Sequence, residues 1–145
     1  MGILFSVACR NKECKWHKVL REGPGMSSFA DTCRLERSIL SGEKKAPEDI
    51  KELLNKGYHL DCVETFLCPK CKEWVNNRDP YIYEPIHVSP YGTVREYKMH
   101  YVYGHPKCDV CGTELVHILK PRSSKNKCPK CGQDNMRAKN IGYYD

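Results

Sequence analysis

The chain has 145 residues, enough for one domain or two very small ones. Leu, Ile, Val and Phe supply only 29 of them, about the level below which a charged chain struggles to bury a core. The ten cysteines must therefore contribute, as disulfides or as metal ligands, and the formal charge of +6 leaves a nucleic-acid partner open.

Residues 1–8, MGILFSVA, lack the basic n-region and the h-region of a secretory signal. MGILFS also fits the loose Met-Gly-x-x-x-Ser acylation pattern, which is common by chance. No run reaches the ~18 apolar residues of a membrane span. The expectation is a cytoplasmic protein with no membrane contact, where thiols stay reduced and paired cysteines bind metal.

Residues 1–20 hold a short apolar run followed by Cys9, Cys14, Trp16 and Val19. REGPGMSS, 21–28, has the Gly and Pro of a turn. Ser28 and Asp31 can form a capping box opening a helix to about Ser41, with Phe29, Cys33 and Leu40 on one face and Ile39 at its edge. A second helix starts at Pro47, has Glu48 and Asp49 in its first turn, and ends at Gly57, with Ile50, Leu53 and Leu54 as its apolar side. From Tyr58 the chain reads as extended. HLDCVETFL, 59–67, leads into Cys68, and TVREYKMHYVY, 93–103, alternates. ELVHIL, 114–119, follows Gly112, and PRSSKNK, 121–127, is a basic loop. The tail NIGYYD has no clear pattern.

Three cysteine pairs have Cys-x-x-Cys spacing: Cys68/Cys71, Cys108/Cys111 and Cys128/Cys131. One tight turn can then offer two thiolates to a tetrahedral zinc. Gly112 and Gly132 follow their pairs and suit the φ > 0 conformation that ends such a knuckle, whereas Lys72 stands in the equivalent place after Cys71. A fourth pair, Cys9/Cys14, has four residues between. Cys108, Cys111, Cys128 and Cys131 together form C-x2-C-x16-C-x2-C, the spacing of a four-cysteine ribbon. Cys68 and Cys71 would then join Cys9 and Cys14 across a helical insertion. The rival pairing, 68/71 with 108/111 and 9/14 with 128/131, requires more chain closure and ranks second. A redox role for the CPKC motifs would need a strand before and a helix after, and the segments that follow are strand-like or polar. Cys33 and Cys62 read as small buried hydrophobes. His17, three residues after Cys14, is an alternative ligand for the first site.

These pieces, CRNKECKW, GPGM, the helices, LDCVETFLCPKC, CDVCG and CPKCG in that order, resemble an uncharacterised family of bacterial zinc-ribbon proteins. The resemblance implies zinc ribbons and brings no activity with it. The expected fold is a small, metal-stabilised α+β protein with two zinc-ribbon sites of rubredoxin-like knuckles. Residues 1–105 would form a split ribbon with a helical insertion (about 28–57) and a Tyr-rich β region. Residues 106–145 would form a C-terminal ribbon.

Two closed four-cysteine sites leave no open metal position, and there is no H-E-x-x-H or Gly-rich phosphate loop, so a binding protein is expected rather than a metal-dependent or redox enzyme. No small-molecule substrate is indicated. Lys120, Arg122, Lys125, Lys127 and Lys130 cluster around the last knuckle, and Tyr97 or Tyr101 could stack on bases. Eight thiolates and two Zn2+ reduce the formal +6 to about +2, so any nucleic-acid site must be local. A zinc-stabilised protein-interaction module or adaptor is the alternative.

Overall fold

The computed structural model describes residues 2–88, 90 and 94–145; Tyr91, counted in the Tyr-rich region, lies outside them. Among the described residues two helices and nine strands form, the strands in three three-stranded sheets, so the α+β expectation holds. No described helix is long and apolar enough to cross a membrane.

The apolar start of the chain becomes β1 (Gly2–Cys9), with Phe5 and Val7 fully buried on one face and Leu4, Ser6 and Ala8 on the other. β2 (His17–Glu22) runs back antiparallel along one edge of β1. The tail, which has no clear sequence pattern, forms β9 (Met136–Tyr144) and covers the other edge. Leu20, Trp16, Trp74 and Met136 complete this core, with the two indoles edge to face at 5.5 Å.

α1 (Met26–Leu40) begins two residues before Ser28 and has no side-chain cap. Gly25 takes the N-cap position because the backbone of Asp145 lies where a Cβ would project. Asp31 is left to pair with Arg34 at 3.2 Å rather than cap. The buried face also differs from the expected one. Thr32 and Ile39 are buried with Leu35 beside them, whereas Phe29 and Leu40 are 55% and 41% exposed. Thr32 can face inward because its hydroxyl donates to the Phe29 carbonyl at 2.8 Å. α2 (Glu48–Asn55) matches its expected span closely and buries Ile50 and Leu54 against Ile39.

The expected strand 59–67 is two strands. β3 (Leu60–Asp61) and β4 (Glu64–Cys68) are separated at Val63, which is buried with φ +69°. That left-handed residue redirects the chain from one sheet to another. β3 joins the hairpin of β6 (Tyr81–Val88) and β7 (Val94–Tyr101), under the two helices. β4 pairs with β5 (Glu73–Asn77) and with β8 (Val116–His117), which is all that 114–119 contributes as strand. Asn76 ties this sheet to β2: its Oδ1 accepts from the Arg21 N–H at 2.7 Å and its Nδ2 donates to the Arg21 carbonyl at 2.8 Å.

Candidate metal centres

Each cysteine pair sits on a tight turn, and all four turns end alike. The residue after the second cysteine has positive φ in every case: Lys15 at 52°, Lys72 at 53°, Gly112 at 71° and Gly132 at 73°. Lys72 thus adopts the conformation its two glycine counterparts adopt. The two glycine turns share their hydrogen bonds. Gly112 N–H donates to the Cys108 carbonyl and Gly132 N–H to the Cys128 carbonyl, both at 2.8 Å. Backbone N–H groups also point at sulfur, from Asn11 to Cys9 and from Cys71 to Cys68, each at 3.4 Å.

The eight paired cysteines gather into two four-sulfur clusters, but not in the pairing ranked first. Cys9 and Cys14 meet Cys128 and Cys131, and Cys68 and Cys71 meet Cys108 and Cys111. The C-x2-C-x16-C-x2-C stretch therefore does not form one site. The reason lies in the sheets. β9 pairs with β1 so that Met136 lies opposite Cys9, which brings the 128/131 turn to the 9/14 turn. β8 pairs with β4, Val116 opposite Leu67, which brings 108/111 to 68/71. Loop closure grows only logarithmically, about 0.6 kcal/mol per doubling of length, so strand pairing with a buried core outweighs it easily.

Within the clusters the Sγ–Sγ separations include 3.6 Å for Cys9–Cys131 and for Cys14–Cys128. They include 3.5 Å for Cys68–Cys111 and 3.9 Å for Cys71–Cys108. A disulfide needs ~2.05 Å, so these are free thiols. Four sulfurs ~2.3 Å from a tetrahedral ion stand about 3.8 Å apart, so the donor sets fit a metal without rearrangement. The thiols differ in their ionisation. Hydrogen bonds from the Thr113 hydroxyl and N–H draw the Cys111 thiol down to about 6, and the Gln133 N–H draws Cys131 down to about 7. Cys71 is pushed up to about 12, first by its contacts with the Cys111 and Cys68 sulfurs. Burial raises Cys9 and Cys128. Cys111 and Cys131 are thus the lowered thiols, one in each cluster.

His17 is exposed and lines a cleft of about 540 Å3 beside Cys14 and Cys131, outside the four-sulfur set. Cys33 is half-buried on α1. Cys62 is buried, and burial followed by the charge of Asp61 pushes its thiol up to about 11, which makes it inert at neutral pH.

The residues expected to bind nucleic acid lie in different surroundings. Arg122 pairs with Glu22 at 2.6 Å, while Lys125, Lys127 and Lys130 are exposed. Tyr97 and Tyr101 are half-buried. The Tyr97 hydroxyl donates to Glu64 at 3.4 Å, and the Tyr101 ring packs 6.2 Å from Phe66 and 5.0 Å from His105. A different basic surface surrounds the first cluster. On the outer face of β2-β1-β9, Ala8 is flanked by His17 and Arg137, and Ser6 by Val19 and Lys139. Arg10, Lys12 and Lys15 line an adjoining cleft of about 580 Å3 that Arg137 also borders. Only the pairing of β9 with β1 assembles this face, so no local stretch of sequence announced it.

Searches of family models, curated proteins and solved structures find no match to this chain. The class defined by the site is an α+β protein with two four-cysteine clusters suited to metal.

Proposed function

We propose that the chain is a non-enzymatic zinc-binding module, with zinc in both clusters held by rubredoxin-like knuckles, and that its partner is single-stranded nucleic acid. Four sulfurs around a tetrahedral position suit zinc or iron. With all four positions filled by thiolate, the metal has no site left for water or substrate, which supports a structural role. Elemental analysis of the purified protein tests this directly: about two equivalents of zinc are expected, and substantial iron would turn the reading to electron transfer.

The observation that carries the partner is the outer face of β2-β1-β9. The central strand offers small Ser6 and Ala8, and the flanking strands offer His17, Arg21, Arg137 and Lys139, with no acidic residue facing out from the three strands. An extended phosphodiester backbone laid along Ser6 and Ala8 would meet Lys139 and Arg137 on the β9 side and the His17 imidazole on the β2 side. Lys130 borders the neighbouring cleft beside Cys14 and Lys15, which links the basic loop to the same region.

Fluorescence anisotropy with single-stranded RNA and DNA at two salt concentrations tests the partner. With four phosphates engaged, the log–log salt slope should be roughly −3. Arg137→Glu with Lys139→Glu should flatten that slope by more than charge reversal of Lys125 and Lys127 does, with zinc content unchanged. Absence of salt-sensitive binding at micromolar protein would overturn the nucleic-acid reading and favour the protein-interaction module.

A further inference from the structure

A second feature lies away from both clusters, between the sheet β3-β6-β7 and the sheet β5-β4-β8. There a cavity of about 200 Å3 is lined by Asp61, Glu64, Tyr81, Tyr83 and Tyr97. The strand register explains the gathering. Asp61 lies opposite Tyr81, and Tyr83, two residues on, faces the same way. Tyr97 comes from β7, opposite Pro85. The Tyr83 and Tyr97 rings stand 6.3 Å apart at 69°, forming two walls of a corner. Glu64 holds the arrangement in place. Its Oε1 accepts from the Tyr81 hydroxyl at 2.8 Å and from the Tyr97 hydroxyl at 3.4 Å, and its Oε2 meets His117 Nε2 at 3.0 Å.

Ring faces carry negative quadrupole potential, and two carboxylates add to it, so the corner attracts a cation in an otherwise basic chain. Burial, then the charge of Glu64, raises both Tyr81 and Tyr97. The cavity is smaller than the ~300–1,000 Å3 of a drug-sized ligand site, room for a headgroup only. A second cavity of about 430 Å3 shares Asp61 and Tyr83 and is bordered by Phe29, whose ring is mostly exposed at its mouth. Apolar surface from Pro24, Phe29 and Leu60, with Glu36 and His59 beside it, leads out from the charged corner.

We propose that this corner is an aromatic cage for an organic ammonium headgroup carried on an alkyl chain. The rings of Tyr83 and Tyr97 face the cation, Asp61 and Glu64 balance its charge, and the larger cavity receives the chain. This site is independent of the nucleic-acid reading and of the basic face that supports it.

The test uses the full-length, metal-loaded protein and three probes: choline, n-butylammonium, and 3,3-dimethyl-1-butanol, the neutral isostere of choline. Aromatic NMR signals of Tyr83 and Tyr97 should shift saturably with at least one of the cations and not with the alcohol. Which cation binds more tightly distinguishes a methylated from a primary amine. Tyr83→Leu should weaken binding about fivefold or more, and Tyr83→Phe should retain it, because the ring face rather than the hydroxyl makes the contact. Unchanged metal content and backbone spectra establish that each variant is folded. Equal shifts from choline and the alcohol, no saturable shift with either cation, or equal binding by wild type and Tyr83→Leu would overturn the proposal.

Discussion

Lys72 shows how a cysteine turn overrides residue preference. A non-glycine L-residue in the left-handed region costs roughly 1–2 kcal/mol, yet Lys72 sits at φ 53° because the turn presenting Cys68 and Cys71 requires it. Lys72→Gly should therefore stabilise the metal-loaded protein by about 0.5–1 kcal/mol, after allowing for the greater chain entropy of glycine. Lys72→Val should destabilise it by at least as much, since a β-branched side chain tolerates positive φ worst. Urea denaturation of the three proteins measures both effects, and a glycine variant less stable than wild type would show that the lysine side chain contributes contacts of its own. The sequence makes Lys72 visible as a break in the Cys-x-x-Cys-Gly pattern. It does not reveal that the backbone keeps the glycine conformation, because that depends on the turn as a whole. Val63 is a similar case: nothing in HLDCVETFL announces a left-handed residue between two strands.

At the scale of elements, composition and punctuation locate both helices, while the choice of face depends on tertiary packing. In α1 the apolar positions 29, 33 and 40 look like a core stripe, but the face against α2 and β3 is the one carrying Thr32, Leu35 and Ile39. The reason is local. Thr32 bonds within the helix and loses little on burial, and Phe29 sits at the mouth of a cavity instead of in the core. Ile39→Ala should accordingly cost about 2–5 kcal/mol, whereas Phe29→Ser should stay within about 0.5 kcal/mol of wild type. Thermal melts of the two variants decide which face is buried; comparable losses would restore the face read from the sequence. β9 was the least legible element. MRAKNIGYY lacks clean alternation because a register shift at Leu4/Phe5 leaves Ile141 exposed beside Gly142, so its role as a partner of β1 appears only in three dimensions.

The whole molecule rests on nested pairing: the first cysteine pair with the last, and the two middle pairs with each other. The eight candidate ligands and their turns were readable from spacing alone, because Cys-x-x-Cys geometry is local. Which pairs share a site was not, because it depends on sheets assembled from the two ends of the chain. Short spacing favoured the sequential arrangement, but closure entropy varies too slowly with loop length to decide the matter. Burial of Phe5, Val7, Trp16 and Met136 between β1, β2 and β9 decides it. The most direct test is metal stoichiometry of the double variant Cys14→Ser/Cys128→Ser, read by native mass spectrometry. Both residues belong to one cluster in the nested arrangement, so the variant should retain about one metal ion, held by Cys68, Cys71, Cys108 and Cys111. In the sequential arrangement the same two changes would damage both sites, and a variant that binds no metal while its Cys14→Ser and Cys128→Ser single variants each keep one would contradict the nested pairing.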